Sequence, residues 1–268
     1  MPLSPAYALV ATDLDGTLLR SDDTVSPRTR AALALAARAG ARHLVVTGRP
    51  VPAIRGLLDE LGYRGPAVCG QGTQLYDAGS GRLVHALTLD REAAGTALGK
   101  IEAQVGPVFA AVDQEGTEGR TLIEPGFLMP HPTLPAQRTR SRHELWSAPV
   151  MKVLVRHPEL TDDALATAAR EAVGGLATVT HSGPGTVELQ PYGVDKGTGL
   201  ALAAAHLGVD PGSAIAFGDM PNDLPMFHTA GYGVAMANAH PDLRAVADEV
   251  TSSNERDGVA EVLERLYG

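Results

Sequence analysis

One cysteine, Cys69, stands among 268 residues. An internal disulfide framework is therefore excluded, and the chain fits a reducing compartment. No run of Lys or Arg accompanies the net charge of −9, which argues against nucleic acid or an anionic membrane surface as partner. Any anionic ligand must then be met by a local group of donors. No apolar run reaches the ~18 residues of a membrane span, and the first residues lack a basic stretch followed by an apolar segment and a cleavage site. The expectation is a soluble, cytoplasmic protein with no membrane partner. The nine histidines show no metal-ligand spacing, which leaves zinc without its usual donors. No internal repeat or low-complexity tract is present. Apolar residues at 44% and charged residues at 20% are enough for a packed core, and the length calls for one large domain or a domain carrying a second one.

Strand and helix signals alternate over the first 80 or so residues. Ser26-Pro27 has the form of an N-cap followed by proline at the first helical position, and Gly40 sits where a helix-ending glycine belongs. His43 to Val46 reads as a short buried strand ending at Thr47-Gly48-Arg49, and Pro50 to Leu61 as a helix stopped by Gly62. The alternation returns with a helix at Lys196 to Leu207 and strands at Ser213 to Phe217 and Tyr232 to Met236. Between these halves the pattern changes to two helices, around Asp90 to Val105 and Leu160 to Val173. Strand-like runs surround them at Val108 to Val112, Thr121 to Glu124, Val150 to Arg156, Ala177 to His181 and Thr186 to Gln190. The proline-rich, basic stretch Pro125 to Pro149 reads as a long loop. The expected fold class is α/β: a Rossmann-like parallel-sheet core from residues 1–83 and 190–268, with an α+β unit inserted at 84–189.

Chemistry enters at Asp13-Leu14-Asp15-Gly16-Thr17-Leu18-Leu19, which follows the apolar run Tyr7 to Ala11. Two carboxylates two residues apart at a strand end are costly to desolvate unless a cation joins them. With no His or Cys beside them, Mg²⁺ fits better than Zn²⁺. Taken alone, the Asp-Gly pair fits an ordinary turn equally well; the later segments decide. In open α/β sheets ligands gather outside the carboxyl ends of the strands, and Asp13, Thr47 and Asp219 all fall at such ends. Lys196 opens a helix and adds a cation beside a positive dipole end. Gly218-Asp219-Met220-Pro221-Asn222-Asp223 adds two carboxylates and an amide.

Asp13-Leu14-Asp15-Gly16-Thr17-Leu18, Thr47-Gly48-Arg49, Lys196 in Gly193-Val194-Asp195-Lys196-Gly197, and Gly218-Asp219-x-x-Asn222-Asp223 resemble the four ordered motifs of the haloacid dehalogenase superfamily. The likeness is to its Cof-type phosphatase branch, whose α/β cap occupies the position of the insert, and the tail Ser253 to Val259 resembles that branch's ending. The resemblance implies a Mg²⁺-dependent phosphatase of small phosphorylated metabolites, working through an aspartyl-phosphate. Asp13 is then the nucleophile, Asp15 the acid and base, and Lys196 the cation that neutralises both Asp13 and the phosphoryl group. Thr47, Gly48, Asn222 and Arg49 form the phosphate set, Arg49 being open between a phosphate contact and a solvated side chain. Asp13, the Asp15 backbone carbonyl, Asp219 and Asp223 form the metal set. Two other readings stay open: a sugar phosphomutase on the same core, and a non-catalytic metabolite-binding protein.

One position departs from the branch. Where an Asn-Gly pair is usual, this chain has Cys69-Gly70-Gln71-Gly72, with Gln71 at the amide position. The resemblance assigns choice of leaving group to the cap, where Arg120, Glu124 and Arg140 are the candidates, with His131, Arg138 and Arg142 beside them. Cys69 reads as a buried small hydrophobe.

Overall fold

The structure is a computed structural model that describes residues 6–128, 136–181 and 186–268. The first part of the chain runs β1 (Leu9–Thr12), α1 (Pro27–Arg38), β2 (Arg42–Val46), α2 (Val51–Glu60), β3 (Pro66–Cys69), β4 (Gln74–Asp77) and β5 (Arg82–Ala86). The middle follows with α3 (Arg91–Val105), β6 (Phe109–Gln114), β7 (Thr121–Ile123), β8 (Ala136–Arg138), β9 (Val150–Arg156), α4 (Asp162–Val173), β10 (Thr178–His181) and β11 (Val187–Gln190). The last part is α5 (Lys196–Leu207), β12 (Ala214–Gly218), α6 (Leu224–Thr229), β13 (Tyr232–Ala235), α7 (Pro241–Val246), β14 (Glu249–Val250) and α8 (Gly258–Tyr267). No helix among the described residues is long and apolar enough to cross a membrane.

Eight strands form the larger sheet in the order β14-β13-β12-β1-β2-β3-β4-β5. They are parallel from β14 to β3, and a β4–β5 meander adds the antiparallel edge. Alternation along β1 explains why this sheet is buried on both faces. Leu9 and Ala11 pack with Leu200, Ala203 and Ala204 of α5. Val10 packs on the other side with Ala32 and Ala36 of α1 and Val259 and Leu263 of α8. The start of α1 obeys its capping sequence, Ser26 Oγ accepting from the Thr29 N–H at 3.0 Å. Cys69 lies in the core beneath α2. His43 is half-buried, and its ring nitrogen pairs with Thr12 Oγ1 at 2.8 Å.

The smaller sheet has the order β10-β11-β9-β6-β7-β8, antiparallel except for the β7–β8 pair. One face carries α3 and α4: Val112, Val153, Val155, Val187 and Leu189 pack against Ala97, Ile101, Leu165 and Ala169. The opposite face presents a smaller apolar group, Ala111, Ile123, Phe127 and Leu154. This is the α/β core with a cap that the motifs implied. Two details differ from expectation. The stretch read as a loop contains β8 and a helical turn at Arg142–Trp146, its middle lying outside the described residues. Residue 84 lies within β5 of the larger sheet, so that strand extends past the expected changeover.

Candidate active site

Four segments converge at the carboxyl ends of the central parallel strands. Asp13 follows β1, Thr47 follows β2 and Asp219 follows β12, while Lys196 begins α5. A reciprocal cap anchors that helix start: Asp195 Oδ1 accepts from the Thr198 N–H at 2.8 Å, and Thr198 Oγ1 accepts from the Asp195 N–H at 2.9 Å. Lys196 is only 1% exposed. Its Nζ donates to Asp13 Oδ1 at 2.7 Å and to Asp223 Oδ1 at 2.6 Å. The second oxygen of Asp223 accepts the backbone N–H groups of Asp219 and Met220 at 3.0 and 3.1 Å. Thr17 Oγ1 donates to Asp219 Oδ1 at 3.1 Å. Gly16, with φ +73°, lets the chain pass so close that a Cβ there would overlap the Asp219 carboxylate.

Asp13, Asp219 and Asp223 are all buried and offer oxygens within 4.8 Å of one another. Three carboxylates around one ammonium leave an excess of negative charge in a low-dielectric place. Burial pushes Asp13 well above the usual carboxylate range, Lys196 pulls it back, and Asp223, Asp219 and Asp15 push it further up. Asp219 is pushed up to about 7, by burial first and Asp223 second. Burial opposes the charge of Lys196, yet Asp13 and Asp223 outweigh it and hold the ammonium form above its ordinary range. An oxygen-only donor set with surplus negative charge fits a hard divalent cation.

The remaining core residues lie close by. Arg49 takes both oxygens of Asp15, with Nε at 2.8 Å from Oδ2, and reaches Asp23 Oδ1 at 3.0 Å. The Asp15 carboxylate therefore stands apart from the acidic cluster of Asp13, Asp219 and Asp223. Thr47 is fully buried, its Oγ1 accepting the Arg49 N–H at 3.1 Å. Asn222 Nδ2 donates to Gln71 Oε1 at 3.0 Å, and Asn222 Oδ1 is buried without a protein partner.

The cap candidates fare differently. Strand alternation puts Glu124, which follows β7, on the helix-covered side of the sheet, and there Arg142 grips it at 2.6 and 2.9 Å. Arg142 also donates to Glu102 at 2.7 Å and to the Val108 carbonyl at 2.5 Å. These two side chains hold the cap together. Arg120 donates to Gln137 Oε1 at 3.0 Å, Arg138 to the Phe127 carbonyl at 3.5 Å, and Arg140 is exposed. His131 lies outside the described residues. The open face of the cap sheet instead carries Lys152, Asp113 and Glu188, which sequence reasoning missed. Their signal was present: a lone charge in each of the apolar runs Val150-Met151-Lys152-Val153-Leu154-Val155 and Val187-Glu188-Leu189.

Comparison with known proteins agrees with this geometry. Residues 10–263 match the profile of the haloacid dehalogenase-like hydrolases, and the chain belongs to that family. It is 30% identical to an HMP-PP phosphatase of Serratia proteamaculans over 96% of this chain and 94% of that protein. It is 28% identical to 5-amino-6-(5-phospho-D-ribitylamino)uracil phosphatase YwtE of Bacillus subtilis, over 96% of this chain and 97% of the relative. A match at 30% identity to the chloroplastic endoribonuclease YBEY of Arabidopsis thaliana spans 97% of this chain but 47% of that longer protein. A solved haloacid dehalogenase-like hydrolase from B. subtilis superposes with a TM-score of 0.83 at 26% identity, covering 97% of this chain and 99% of the other.

Proposed function

We propose that this chain is a Mg²⁺-dependent phosphatase of small phosphorylated metabolites in the cytoplasm. The observation that carries the proposal is the buried Asp13–Lys196–Asp223 triad beside Asp219. It couples a carboxylate nucleophile to a fixed cation, in a place where a phosphate's charge would otherwise be repelled. Relatives matched over nearly their full length are by name a 5-amino-6-(5-phospho-D-ribitylamino)uracil phosphatase, an HMP-PP phosphatase and a pyridoxal phosphate phosphatase, which supports small phosphorylated metabolites as the substrate class here.

Lys196 holds Asp13 by one oxygen, leaving the other to attack phosphorus. The bond to the ester oxygen breaks as Asp15 gives that oxygen a proton, so the product alcohol leaves and the phosphoryl group rests on Asp13. Asp15, now a carboxylate, takes a proton from water as the water oxygen attacks phosphorus, and Asp13 is regenerated with release of inorganic phosphate. Thr47 and the Gly48 N–H hold phosphoryl oxygens. The side chains of Asp13, Asp219 and Asp223 and the Asp15 backbone carbonyl would hold Mg²⁺, which supplies charge neutralisation between nucleophile and phosphate. The test is phosphate release from sugar phosphates, nucleotides, pyridoxal phosphate and pyrimidine phosphates, with Mg²⁺ or with EDTA, beside Asp13→Asn. Metal-dependent release that disappears in the variant is the expected result. Isomerised sugar phosphate without free phosphate would favour a mutase instead, and no reaction with any compound would defeat the proposal.

A further inference from the structure

The cap reaches the phosphate loop through one buried ammonium group. Lys152 stands in the middle of β9, on the face of the cap sheet opposite α3 and α4, and is only 3% exposed. Its Nζ donates to Glu188 Oε1 at 2.8 Å, lies 3.6 Å from Asp113 Oδ2, and donates to the backbone carbonyl of Gly48 at 2.8 Å. Burial opposes that charge, and Glu188 and Asp113 outweigh it, so the ammonium form persists. A second arm runs from the same carboxylate. Glu188 Oε2 accepts from Gln71 Nε2 at 2.6 Å, and Gln71 Oε1 accepts from Asn222 Nδ2 at 3.0 Å.

Both arms end on residues of the phosphate set, Gly48 and Asn222. The local backbone is adapted to them. Gly48 has no room for a Cβ because the Gln71 amide occupies the space. Gln71 adopts φ +62°, a conformation that Asn tolerates better than Gln. The strain goes with reach: the additional methylene lets a single amide touch a cap carboxylate and a core amide at once.

We infer that Lys152 is a positioning residue of the reaction, setting the phosphate loop through Gly48 while Glu188 and Gln71 set Asn222. Cap closure then completes phosphate binding itself, in addition to any selection of the leaving group. This rests on the phosphatase reading above. Because the Gly48 loop meets the part common to all substrates, losing Lys152 lowers turnover by the same factor whatever the alcohol. Misplacement by about 1 Å at such a loop costs on the order of a hundred-fold.

The experiment compares wild type, Lys152→Met and the double variant Lys152→Met/Asp113→Asn. The measurements are kcat and KM on several phosphomonoesters, inhibition by inorganic phosphate, and the melting temperature. Lys152→Met strands two buried carboxylates and lowers stability, whereas the double variant removes one of those charges and returns the melting temperature toward wild type. The expected result is a loss of roughly ten- to a hundred-fold in kcat/KM, equal across substrates, with weaker inhibition by phosphate, persisting in the double variant. Activity that returns together with the melting temperature, or a loss that differs strongly between leaving groups, would overturn the inference and leave the phosphatase reading intact. Absence of turnover by wild type on every substrate would defeat the phosphatase reading, and this inference with it.

Discussion

Arg49 closes on Asp15 from the side, its Nε 2.8 Å from Oδ2 and a terminal nitrogen on Oδ1, and the same guanidinium extends to Asp23 at 3.0 Å. The planar fork fixes the direction of the carboxyl group that the proposed mechanism assigns to the leaving oxygen, and lysine cannot reproduce two parallel contacts plus a third. Arg49→Lys is expected to lower kcat by about tenfold, within the usual range for disturbing a general acid. The loss should be larger on alkyl phosphates than on p-nitrophenyl phosphate, whose leaving group needs no proton. Equal losses on both would show that Arg49 acts on phosphate binding instead.

Asp13 offers a second test, since it is the only carboxylate of the cluster that both touches Lys196 and follows β1. Asp13→Asn keeps the volume but removes the proposed nucleophile and one carboxylate of the proposed metal set. Turnover should fall by at least about a thousand-fold, with the melting temperature in EDTA at or above that of wild type because one buried like charge is gone. Residual activity near wild type would remove Asp13 from the mechanism.

Gly16 separates geometry from chemistry. At φ +73° any L side chain costs about 1–2 kcal/mol, and here its Cβ would also displace the Asp219 carboxylate. Gly16→Ala should therefore lose Mg²⁺ affinity and turnover far beyond its effect on thermal stability. Unchanged metal dependence in this variant would show that Asp219 does not need its present position.

These core contacts were largely legible in the sequence, because each motif is local: a strand end, a turn glycine, a capped helix start. Asp13, Thr47 and Asp219 could be placed from strand ends, since a parallel sheet brings those ends together, and Lys196 from its capped helix start. What could not be read was pairing across distance. The Arg49–Asp15 contact and the Lys152–Gly48 contact join segments 34 and 104 residues apart. The β4–β5 meander was missed, because short strands with mixed exposure give little periodic signal. Glu124 and Arg142 attracted attention as charges near a loop, whereas strand alternation turns Glu124 toward the helices.

That misreading becomes a prediction about the cap. Glu124 is 4% exposed and held by Arg142 and the Ala110 N–H, so Glu124→Ala leaves a guanidinium short of its main partner inside the cap. A stability loss of about 1–2 kcal/mol is expected, from the lost charged hydrogen bonds, with the order of preferred substrates unchanged. A reordered preference at constant stability would return Glu124 to the substrate site.

The acidic cluster makes the proposed binding of Mg²⁺ dependent on pH. Asp219, near 7 when folded, and Asp13, also raised, hold protons in the folded state that the unfolded chain, with carboxylates near 4, has already released. Folded protein therefore binds more protons between those values, and stability falls as pH rises through about 7. His43 has the opposite sign: burial lowers it to about 4, so its contribution is lost as pH drops below its unfolded value near 6.5. A plain melting curve mixes the two. The difference between Mg²⁺ and EDTA isolates the cluster, because His43 does not touch it. The melting-temperature gain from Mg²⁺ should be small at pH 5.5 and grow through pH 7 to a plateau near pH 8, as the cation replaces protons on ionised carboxylates. A gain that stays level across this range would mean that Asp13 and Asp219 are already ionised at pH 5.5, and that Lys196 alone neutralises the site.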